Sequence, residues 1–194
     1  MRLGGVFMKW FIASDIHGSA LYCEKMLKAL NREKAEQLVL LGDILYHGPR
    51  NALPAEYDPK SVAAMLNGLE RKPLCVRGNC DSEVDQMMLS FPIMSDYAIL
   101  CDGDVAVFAT HGHIFNTQSP PAGGSWSVLL HGHTHIPALE FCGGFVYINP
   151  GSVSIPKDGS RNGYLIFENG VFTWKTLDGE SYKSFDARNF NADT

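Results

Sequence analysis

The sequence predicts an α/β domain in which two mixed β-sheets face each other and helices lie outside. Two patterns indicate this class: three strand–loop–helix units in series, then a set of strand-like runs separated by turn residues. The first pattern is typical of parallel strands joined by right-handed crossovers, and the second is typical of hairpins. Because the 194 residues show no linker and no shift in composition, we expect residues 1–194 to form a single domain.

The first two units are assigned from their apolar runs and helix caps. Lys9–Ser14 is a short apolar run that predicts a buried first strand, and Ser19 then caps a helix with apolar residues at helical spacing. Gln37–Leu41 predicts the second strand. A loop rich in proline and turn residues covers 47–59, and Asp58 caps the helix that follows, with a proline at its first position.

The third unit is shorter, and the rest of the chain is mostly strand. Leu74–Val76 predicts a strand, and Ser82 caps a short helix that ends near Leu89. The later strand-like runs are Tyr97–Leu100, Val105–Thr110, Val128–His131, Leu139–Cys142, Val146–Asn149, Tyr164–Phe167 and Phe172–Thr176. The aromatic residues expected in the core are Trp10, Phe11, Phe108, Phe141, Phe145 and Tyr147. Because residues 177–194 are polar with weak periodicity, we expect a surface-packed or frayed tail from about residue 179.

Composition and charge restrict the class of function. The formal net charge of −5 argues against a general nucleic-acid-binding surface, so we expect no stable nucleic-acid partner. The five cysteines are odd in number and form no CxxC pair, which is typical of a reducing compartment, and we expect a cytoplasmic protein. Residues 1–8 are too short for a signal peptide and no later run approaches a membrane span, so we interpret them as an N-terminal extension, with Met8 as an alternative start.

Polar side chains follow five of the predicted strands at the point where each strand ends. They are Asp15 and His17, Asp43, Asn79, His111, and His133 with His135. Ligands bind outside the carboxyl ends of strands in open α/β sheets, so we expect these groups to meet. Seven nitrogen and oxygen donors without a thiolate exceed the needs of one tetrahedral zinc, and they suit two divalent ions that share a carboxylate. The sequence therefore predicts two-metal hydrolysis.

Each of these motifs is weak in isolation. A Gly-Asp pair such as Gly42-Asp43 is usually a turn, Asn79 alone could serve only as a helix cap, and a histidine run could be a surface cluster. Their order and their positions at strand ends make the set specific. Within the run His131–His135, the first histidine ends the predicted strand Val128–His131 and is not counted among the seven donors, so we expect it to close the strand or to support the ligands.

The motif series resembles the calcineurin-like metallophosphoesterase superfamily. The matching motifs, in that family's order, are Asp15-x-His17, Gly42-Asp43, Gly78-Asn79-x-Asp81, His111-Gly112 and Gly132-His133-x-His135. Within the superfamily, the small size, Cys80 in the third motif, the loop His47–Pro54 and the turn Asn149–Ser152 are similar to the bacterial YfcE-type phosphodiesterases. The resemblance implies a four-layer αββα sandwich.

The resemblance also implies a ligand scheme and a reaction. One metal would be held by Asp15, His17 and His135, the other by Asn79, His111 and His133, with Asp43 bridging them. Mn²⁺ is the expected ion, and Zn²⁺, Fe²⁺ or Ni²⁺ are alternatives. A hydroxide that bridges the two ions would attack the phosphodiester of a small substrate. The alternatives are a phosphomonoesterase or nucleotide pyrophosphatase on the same site, and a non-catalytic scaffold similar to the retromer subunit of this fold. Family members of this size self-associate, which implies a homodimer or homotetramer.

One departure from the family pattern leaves the general acid open. Many members carry histidine where Cys80 stands, and a thiol is a poor replacement for an imidazolium at neutral pH. His47 and His113 are the other candidates, while a nucleophilic role for Cys80 is disfavoured because a hydroxide already fills it. Asp81 is expected to orient a neighbouring group.

Two arginines are close to the motifs and are candidate clamps for the substrate phosphate. Arg50 and Arg77 carry the planar guanidinium that matches phosphate oxygens, and the alternative for both is a surface ion pair with Asp81, Glu83 or Asp85. We expect the 47–59 loop and the loop after His113 to wall the substrate cleft.

Overall fold

The computed structural model describes residues 8–190 and contains two mixed β-sheets with three α-helices. The expected N-terminal extension lies almost entirely outside the described residues. The helices are α1 (Ala20–Glu33), α2 (Pro59–Asn67) and α3 (Glu83–Met88), and a 3₁₀ turn covers Ala187–Asn189. The strands are β1 (Trp10–Ala13), β2 (Gln37–Leu40), β3 (Leu74–Cys75), β4 (Tyr97–Asp102), β5 (Val105–Thr110), β6 (Val128–Leu130), β7 (Pro137–Phe141), β8 (Val146–Pro150), β9 (Gly163–Glu168), β10 (Val171–Thr176) and β11 (Ser181–Asp186).

The three predicted helix caps are confirmed. The Ser19 hydroxyl accepts from the Tyr22 amide, and the Asp58 carboxylate accepts from the Ser61 amide. Ser82 and Asp85 form a reciprocal capping box at the start of α3. Each helix therefore begins at a fixed residue directly after a loop that contributes to the site.

The strand order brings the carboxyl ends of six parallel strands to one edge, and five of these strands precede the candidate ligands. The six-stranded sheet has the order β11-β10-β9-β1-β2-β3, with β1, β2 and β3 parallel. The five-stranded sheet has the order β4-β5-β6-β8-β7, with β5, β6 and β8 parallel. Both sheets are mixed, as the sequence predicts, and the strands that precede the candidate ligands are all parallel members.

The main core lies between the sheets, and the helices cover the outer face of the six-stranded sheet. Ile12 and Val39 pack with Val107 and Leu130 across the gap, whereas Met26 of α1 belongs to the outer cluster with residues of α2. None of the helices within residues 8–190 is long and apolar enough to cross a membrane.

The outer face of the five-stranded sheet is covered by aromatic side chains rather than by a helix among the described residues. Phe108 of β5 stacks on Tyr97, with ring centroids 4.7 Å apart. Phe115 and Trp126, from the loop between β5 and β6, lie 5.4 and 5.8 Å from Phe108. The fourth layer that the family resemblance implies is therefore formed here by a loop.

Outside the site, one strand was not predicted and one aromatic residue expected in the core is exposed. Strand β11 lies within the expected polar tail, where it pairs with β10 and forms the edge of the sheet. Phe141 is 67 % exposed instead of buried, because it lies on the edge strand β7 and contacts only Phe185 and Phe190 among aromatic rings of the described chain. Phe11, Phe108 and Tyr147 are buried as expected, and Trp10 and Phe145 are half-buried.

Candidate metal centre

The seven predicted ligands meet at the edge where the parallel strands end. Asp15 and His17 follow β1, Asp43 follows β2 and Asn79 follows β3. The remaining ligands come from the facing sheet: His111 follows β5, and His133 and His135 follow β6. The site therefore spans both sheets at one end of the sandwich.

Five of the seven ligand residues have a left-handed backbone, which is unusual for residues other than glycine. Their φ values are 58° for Asp15, 50° for His17, 54° for Asp43, 67° for His133 and 63° for His135. Only nine non-glycine residues within 8–190 have positive φ, so most of this strain is located at the site. The left-handed turns let successive short loops direct their side chains to one point.

Glycines allow these loops to approach each other closely. A side chain on Gly78 would overlap the carboxylate and the amide of Asp43, and one on Gly132 would overlap Ser14 and the Asp15 carboxylate. These positions therefore require glycine because a neighbouring loop leaves no space for a side chain, in addition to any need for an unusual backbone conformation.

The first ligand group contains Asp15, His17 and His135, all of which are buried. The Nε2 atoms of the two histidines are 3.3 Å apart. Asp15 Oδ1 lies 3.3 Å from His135 Nε2 and 3.6 Å from His17 Nε2. Three ligand atoms thus surround one small volume, and they belong to the residues that the family resemblance implies for one metal.

The second ligand group contains Asn79, His111 and His133, and it is more open to solvent. His111 Nε2 lies 3.1 Å from Asn79 Oδ1 and 3.2 Å from His133 Nδ1. His111 is fully buried, His133 is half-buried and Asn79 is exposed. A ligand from solvent would therefore approach from the side of the second group.

Asp43 connects the two groups through one carboxylate oxygen. Its Oδ2 lies 3.6 Å from His17 Nε2 and 3.4 Å from His111 Nε2. Its Oδ1 accepts a hydrogen bond from the Cys80 amide at 2.8 Å, which fixes the carboxylate plane. The carboxylate is therefore held with one oxygen free for the centre.

The donor set fits cations because electron-rich atoms face each other. The Nδ1 atoms of His17, His111 and His135 lie 2.7–2.8 Å from backbone carbonyls, so they carry the hydrogen and the Nε2 atoms present lone pairs to the centre. Asp15 Oδ1 is buried with no hydrogen-bond donor. Buried lone pairs and carboxylates without donors are costly unless a cation lies among them.

The pKa values of Asp15 and His111 are shifted by the close contacts between carboxylates and imidazoles at the centre. Burial raises the pKa of Asp15, but its contacts with His135 and His17 dominate and hold that pKa well below the usual range. Burial lowers the pKa of His111, but the contact with Asp43 dominates and raises it to about 9. The centre therefore attracts positive charge.

Asp81 positions the loops that carry Asp43 and Asn79. It is buried, and its carboxylate accepts hydrogen bonds from the amides of Asp43 (2.8 Å), Ile44 (2.9 Å) and Gly78 (2.7 Å). Burial raises the pKa of Asp81 to about 6. The contacts agree with the orienting role expected from the sequence.

A second set of supporting residues lies on the opposite sheet, in and after the turn Asn149–Ser152, and sequence reasoning did not predict their hydrogen bonds or the part of Ser154. The Asn149 amide donates to the Gly132 carbonyl at 2.8 Å, and the Ser152 and Ser154 hydroxyls donate to the Asp15 carbonyl at 2.8 and 3.0 Å. The Asn-Pro-Gly-Ser turn was the available signal, since its polar residues lie at the end of a fully buried strand and directly after it.

The remaining histidines differ in their access to the centre. His131 is buried and stacks on Tyr147 with centroids 4.3 Å apart, which agrees with its expected lack of a ligand role. The His113 ring lies 5.4 Å from the His111 ring, and burial together with the charge of His111 lowers the pKa of His113 to about 4. The His47 ring packs edge-on against Tyr46 (4.8 Å) and Tyr57 (5.2 Å).

Cys80 is half-buried beside the centre and remains a thiol. Burial and the charge of Asp43 raise the pKa of Cys80 far above its ordinary range, and its Sγ lies 3.2 Å from the Asn79 amide nitrogen. A protonated thiol is a poor nucleophile, in agreement with the sequence interpretation.

Two cavities adjoin the centre and meet at Arg50 and Asn79, which line both. The first, called the apolar cavity, has a volume of about 760 Å³ and walls that include Leu45, Tyr46, Pro49, Tyr57, Val84 and Met88. The second, called the polar cavity, has a volume of about 630 Å³ and walls that include His113, Asn116, Gln118, His133, Thr134 and Glu140. The 47–59 loop therefore forms part of the wall of the apolar cavity, and the loop after His113 forms part of the wall of the polar cavity.

The two arginines have different surroundings. Arg50 is exposed and lies where the cavities meet. The Arg77 guanidinium donates to Asp96 at 2.6 Å, so its ion pair is with a residue other than the acidic partners considered from the sequence. A substrate contact for Arg77 would require this pair to open.

The comparisons with known proteins agree with the motifs. The family model of the calcineurin-like phosphoesterase superfamily domain matches residues 8–170. The protein named Phosphodiesterase YfcE from Escherichia coli K12 is 47 % identical over 174 residues, which cover 90 % of this chain and 95 % of that protein. The probable metallophosphoesterase YsnB of Bacillus subtilis is 25 % identical over 94 % of this chain and 98 % of its own length.

Solved structures show the same fold. The structure of YfcE, described as a phosphoesterase from E. coli, superposes with a TM-score of 0.88 at 44 % identity and covers 93 % of this chain and 100 % of its own. The Vps29 structure from Chaetomium thermophilum, at 15 % identity and a TM-score of 0.60, covers 92 % of this chain and 95 % of its own and shows a shared fold alone. Together with the ligand geometry, these matches confirm the resemblance read from the sequence: the chain belongs to the calcineurin-like phosphoesterase superfamily.

Proposed function

We propose that the protein hydrolyses phosphodiesters at a centre of two divalent metal ions, with Mn²⁺ as the expected ion and Zn²⁺, Fe²⁺ or Ni²⁺ as alternatives. The observation that carries this proposal is the position of Asp43, whose Oδ2 lies within 3.6 Å of a ring nitrogen in each ligand group. A single carboxylate oxygen that faces two sets of imidazoles is suited to bridging two cations. Membership of the phosphoesterase superfamily supports the reaction class.

The ligand residues divide into two sets around Asp43. Asp15, His17 and His135 would hold one ion, and Asn79, His111 and His133 would hold the other. When bound, the ions would supply a bridging water of lowered pKa as the nucleophile and would offset charge on the phosphoryl oxygens. The backbone carbonyls bonded to Nδ1 keep three of the imidazoles in the required tautomer and orientation.

The two cavities favour a diester over a monoester. A phosphodiester carries two substituents on phosphorus, and the centre has one cavity on each side of Arg50 and Asn79. The Arg50 guanidinium presents paired N–H donors that can hold two phosphoryl oxygens at this junction. The name of the E. coli relative, Phosphodiesterase YfcE, supports the same preference.

Of the candidates for the general acid, His113 has the better position. It lines the polar cavity together with the ligand His133, whereas the His47 ring packs between two tyrosines. We therefore assign contact with the leaving group to His113, as a hydrogen bond from the neutral ring, which agrees with its lowered pKa. Comparing His113→Ala and His47→Ala on esters of strong and weak leaving groups tests this assignment: His113→Ala should lose more activity on the weaker leaving group, and equal losses on both would refute it.

A metal-dependent screen tests the reaction itself. Purified protein stripped of metal and reloaded with Mn²⁺ is assayed on phosphodiesters, phosphomonoesters, cyclic nucleotides and pyrophosphates. We expect metal-dependent hydrolysis with the highest kcat/KM on diesters. A higher value on monoesters or pyrophosphates would favour the phosphomonoesterase or pyrophosphatase alternative, and no hydrolysis of any class would favour the scaffold alternative.

We also propose a cytoplasmic location in a bacterium and a homodimer or homotetramer. The odd number of cysteines supports a reducing compartment, and the E. coli and B. subtilis relatives support a bacterial source. Light scattering coupled to size exclusion measures the oligomeric state, and a monomer at micromolar concentration would contradict self-association.

A further inference from the structure

Exposed apolar side chains are concentrated beside the apolar cavity. Five of the ten large hydrophobic residues that are exposed within residues 8–190 lie in two short segments, the loop after β2 and helix α3. They are Tyr46, Leu53, Val84, Met87 and Met88. Apolar surface grouped at the mouth of a cavity is typical of a binding site, because a ligand that covers it removes it from water.

Three of these side chains line the cavity itself. Tyr46, Val84 and Met88 are 41, 68 and 45 % exposed and form part of its wall together with Tyr57. Aromatic rings and a methionine thioether make their best contacts with a flat aromatic group. The volume of about 760 Å³ is within the usual range for small-molecule sites, so one such group can enter.

The apolar cavity is continuous with the metal centre. Asn79, a candidate ligand, and Cys80, whose amide holds Asp43, are both part of its wall. The Tyr46 carbonyl lies 2.8 Å from His17 Nδ1, so the residue that presents its ring to the cavity also orients a ligand. A group in the cavity would therefore lie next to the phosphoryl group at the centre.

The polar cavity has a different chemistry. Its wall contains the polar residues Asn116, Gln118, Thr134 and Glu140, of which Gln118 and Glu140 form no side-chain hydrogen bond with the described residues and can offer donors and acceptors to hydroxyl groups. The two arms of a substrate that fills both cavities would therefore be unlike. Arg50 lies between them, and it forms no ion pair with the described residues.

We propose that the substrate is an unsymmetrical phosphodiester with a planar aromatic arm, such as a nucleobase-bearing or aryl group, in the apolar cavity and a hydroxylated arm in the polar cavity. This proposal rests on the proposed function and names the substrate class of that same site. Tyr46, Val84 and Met88 are the residues that determine the preference for the aromatic arm.

Helix α3 offers a matched pair of variants. Met88 lines the cavity, whereas its neighbour Met87 is 84 % exposed and does not. Met88→Ser and Met87→Ser remove the same side chain from the same helix, so effects on helix stability are similar in both. A thermal melt of each variant confirms that the fold is retained.

The test is equilibrium binding of two non-hydrolysable phosphonates to the Mn²⁺-loaded protein by calorimetry. The probes are 1-naphthylphosphonate and methylphosphonate, which differ only in the arm. We expect wild type to prefer the naphthyl probe and Met88→Ser to reduce the ratio of the two affinities about fivefold, since part of a methionine contact is lost. Met87→Ser should keep the wild-type ratio.

Three results would overturn the assignment. If the ratio of the two affinities is the same in Met88→Ser and wild type, the aromatic arm is refuted. Hydrolysis of methyl 4-nitrophenyl phosphate by the same protein would show that the proposed function still stands. Failure of both probes to bind, with no diester hydrolysed, would refute the proposed function and this inference together. A shift of both variants to a smaller oligomer would show that the apolar surface is a contact between copies of the chain.

Discussion

Replacing Asp43 with asparagine removes one charge from the centre with little change in shape. The Oδ1 position must keep an acceptor because the Cys80 amide donates to it at 2.8 Å. The asparagine oxygen therefore occupies that position, and the new NH₂ group occupies the place of Oδ2, facing His17 and His111. A donor then stands where two cations are proposed to share an oxygen, so we expect both to be held less tightly.

The size of the effect follows from the distances. A unit positive charge placed at the His111 ring nitrogen, 3.4 Å from Asp43 Oδ2, interacts with the carboxylate by about 5 kcal/mol at an effective dielectric constant of about 20. Losing that interaction corresponds to a factor of about 1,000 or more in kcat/KM. The free energy of unfolding of the metal-free protein should change little, because the hydrogen bond to Cys80 is kept.

The assay is hydrolysis of bis(4-nitrophenyl) phosphate by metal-loaded protein, with metal content measured by mass spectrometry. Asp58→Asn is the control, since Asp58 is an exposed helix cap and asparagine caps a helix as well. Asp43→Asn with activity within tenfold of wild type would refute the bridging role. Loss of activity accompanied by a lower melting temperature of the metal-free protein would point instead to a structural role.

Three further predictions concern metal content, the phosphate clamp and stability. Asn79→Ala should lower metal content from about two ions per chain to about one, by elemental analysis, because the second group loses a ligand; an unchanged content would refute the two-group scheme. Arg50→Met should raise KM for a diester about tenfold, because the phosphate clamp is lost. Arg77→Met should raise KM about twofold or less, because the Arg77 guanidinium is already paired with Asp96. A larger increase for Arg77→Met than for Arg50→Met would show that Arg77 is the clamp. Burial raises the pKa of Glu33, but the contacts with Lys175 and Tyr164 dominate and hold that pKa below its ordinary value of 4.5. The ionised Glu33 side chain therefore stabilises the fold above pH 4.5, and this contribution is lost as the pH falls through the lower pKa of the folded state. Glu33→Gln should therefore be less stable than wild type at pH 7 by about 1 kcal/mol, with the difference shrinking below pH 4.5 in urea melts; a constant difference would contradict the ion pair.

The ligands could be predicted from the sequence because residue type and position at a strand end are local properties. Asp15, Asp43 and His111 each follow a short apolar run, and the parallel arrangement of those runs then brings the side chains together. The division into two groups came from the family resemblance, and the contacts of Asp43 agree with it.

Other features depend on tertiary contacts that leave little trace in the sequence. Strand β11 was missed because an edge strand with both faces largely exposed has no apolar alternation, and only pairing with β10 makes it a strand. Phe141 was placed in the core because a strand pattern does not show which sheet edge it occupies. The supports from Ser152 and Ser154 to Asp15 join residues more than 130 positions apart.

The left-handed backbone at the ligands sets a limit on how many mutations the rest of the domain can tolerate. At about 1–2 kcal/mol for each of the five residues, the site costs about 5–10 kcal/mol, comparable with the whole stability of a typical domain. The core between the sheets must offset this cost before any net stability remains. Substitutions far from the site, such as a cavity at Ile12 or Leu130, can therefore remove activity by unfolding the chain without touching a ligand. Mutational robustness in this protein is consequently set by the packing of its core, and a more stable core would allow more change in the cavity walls.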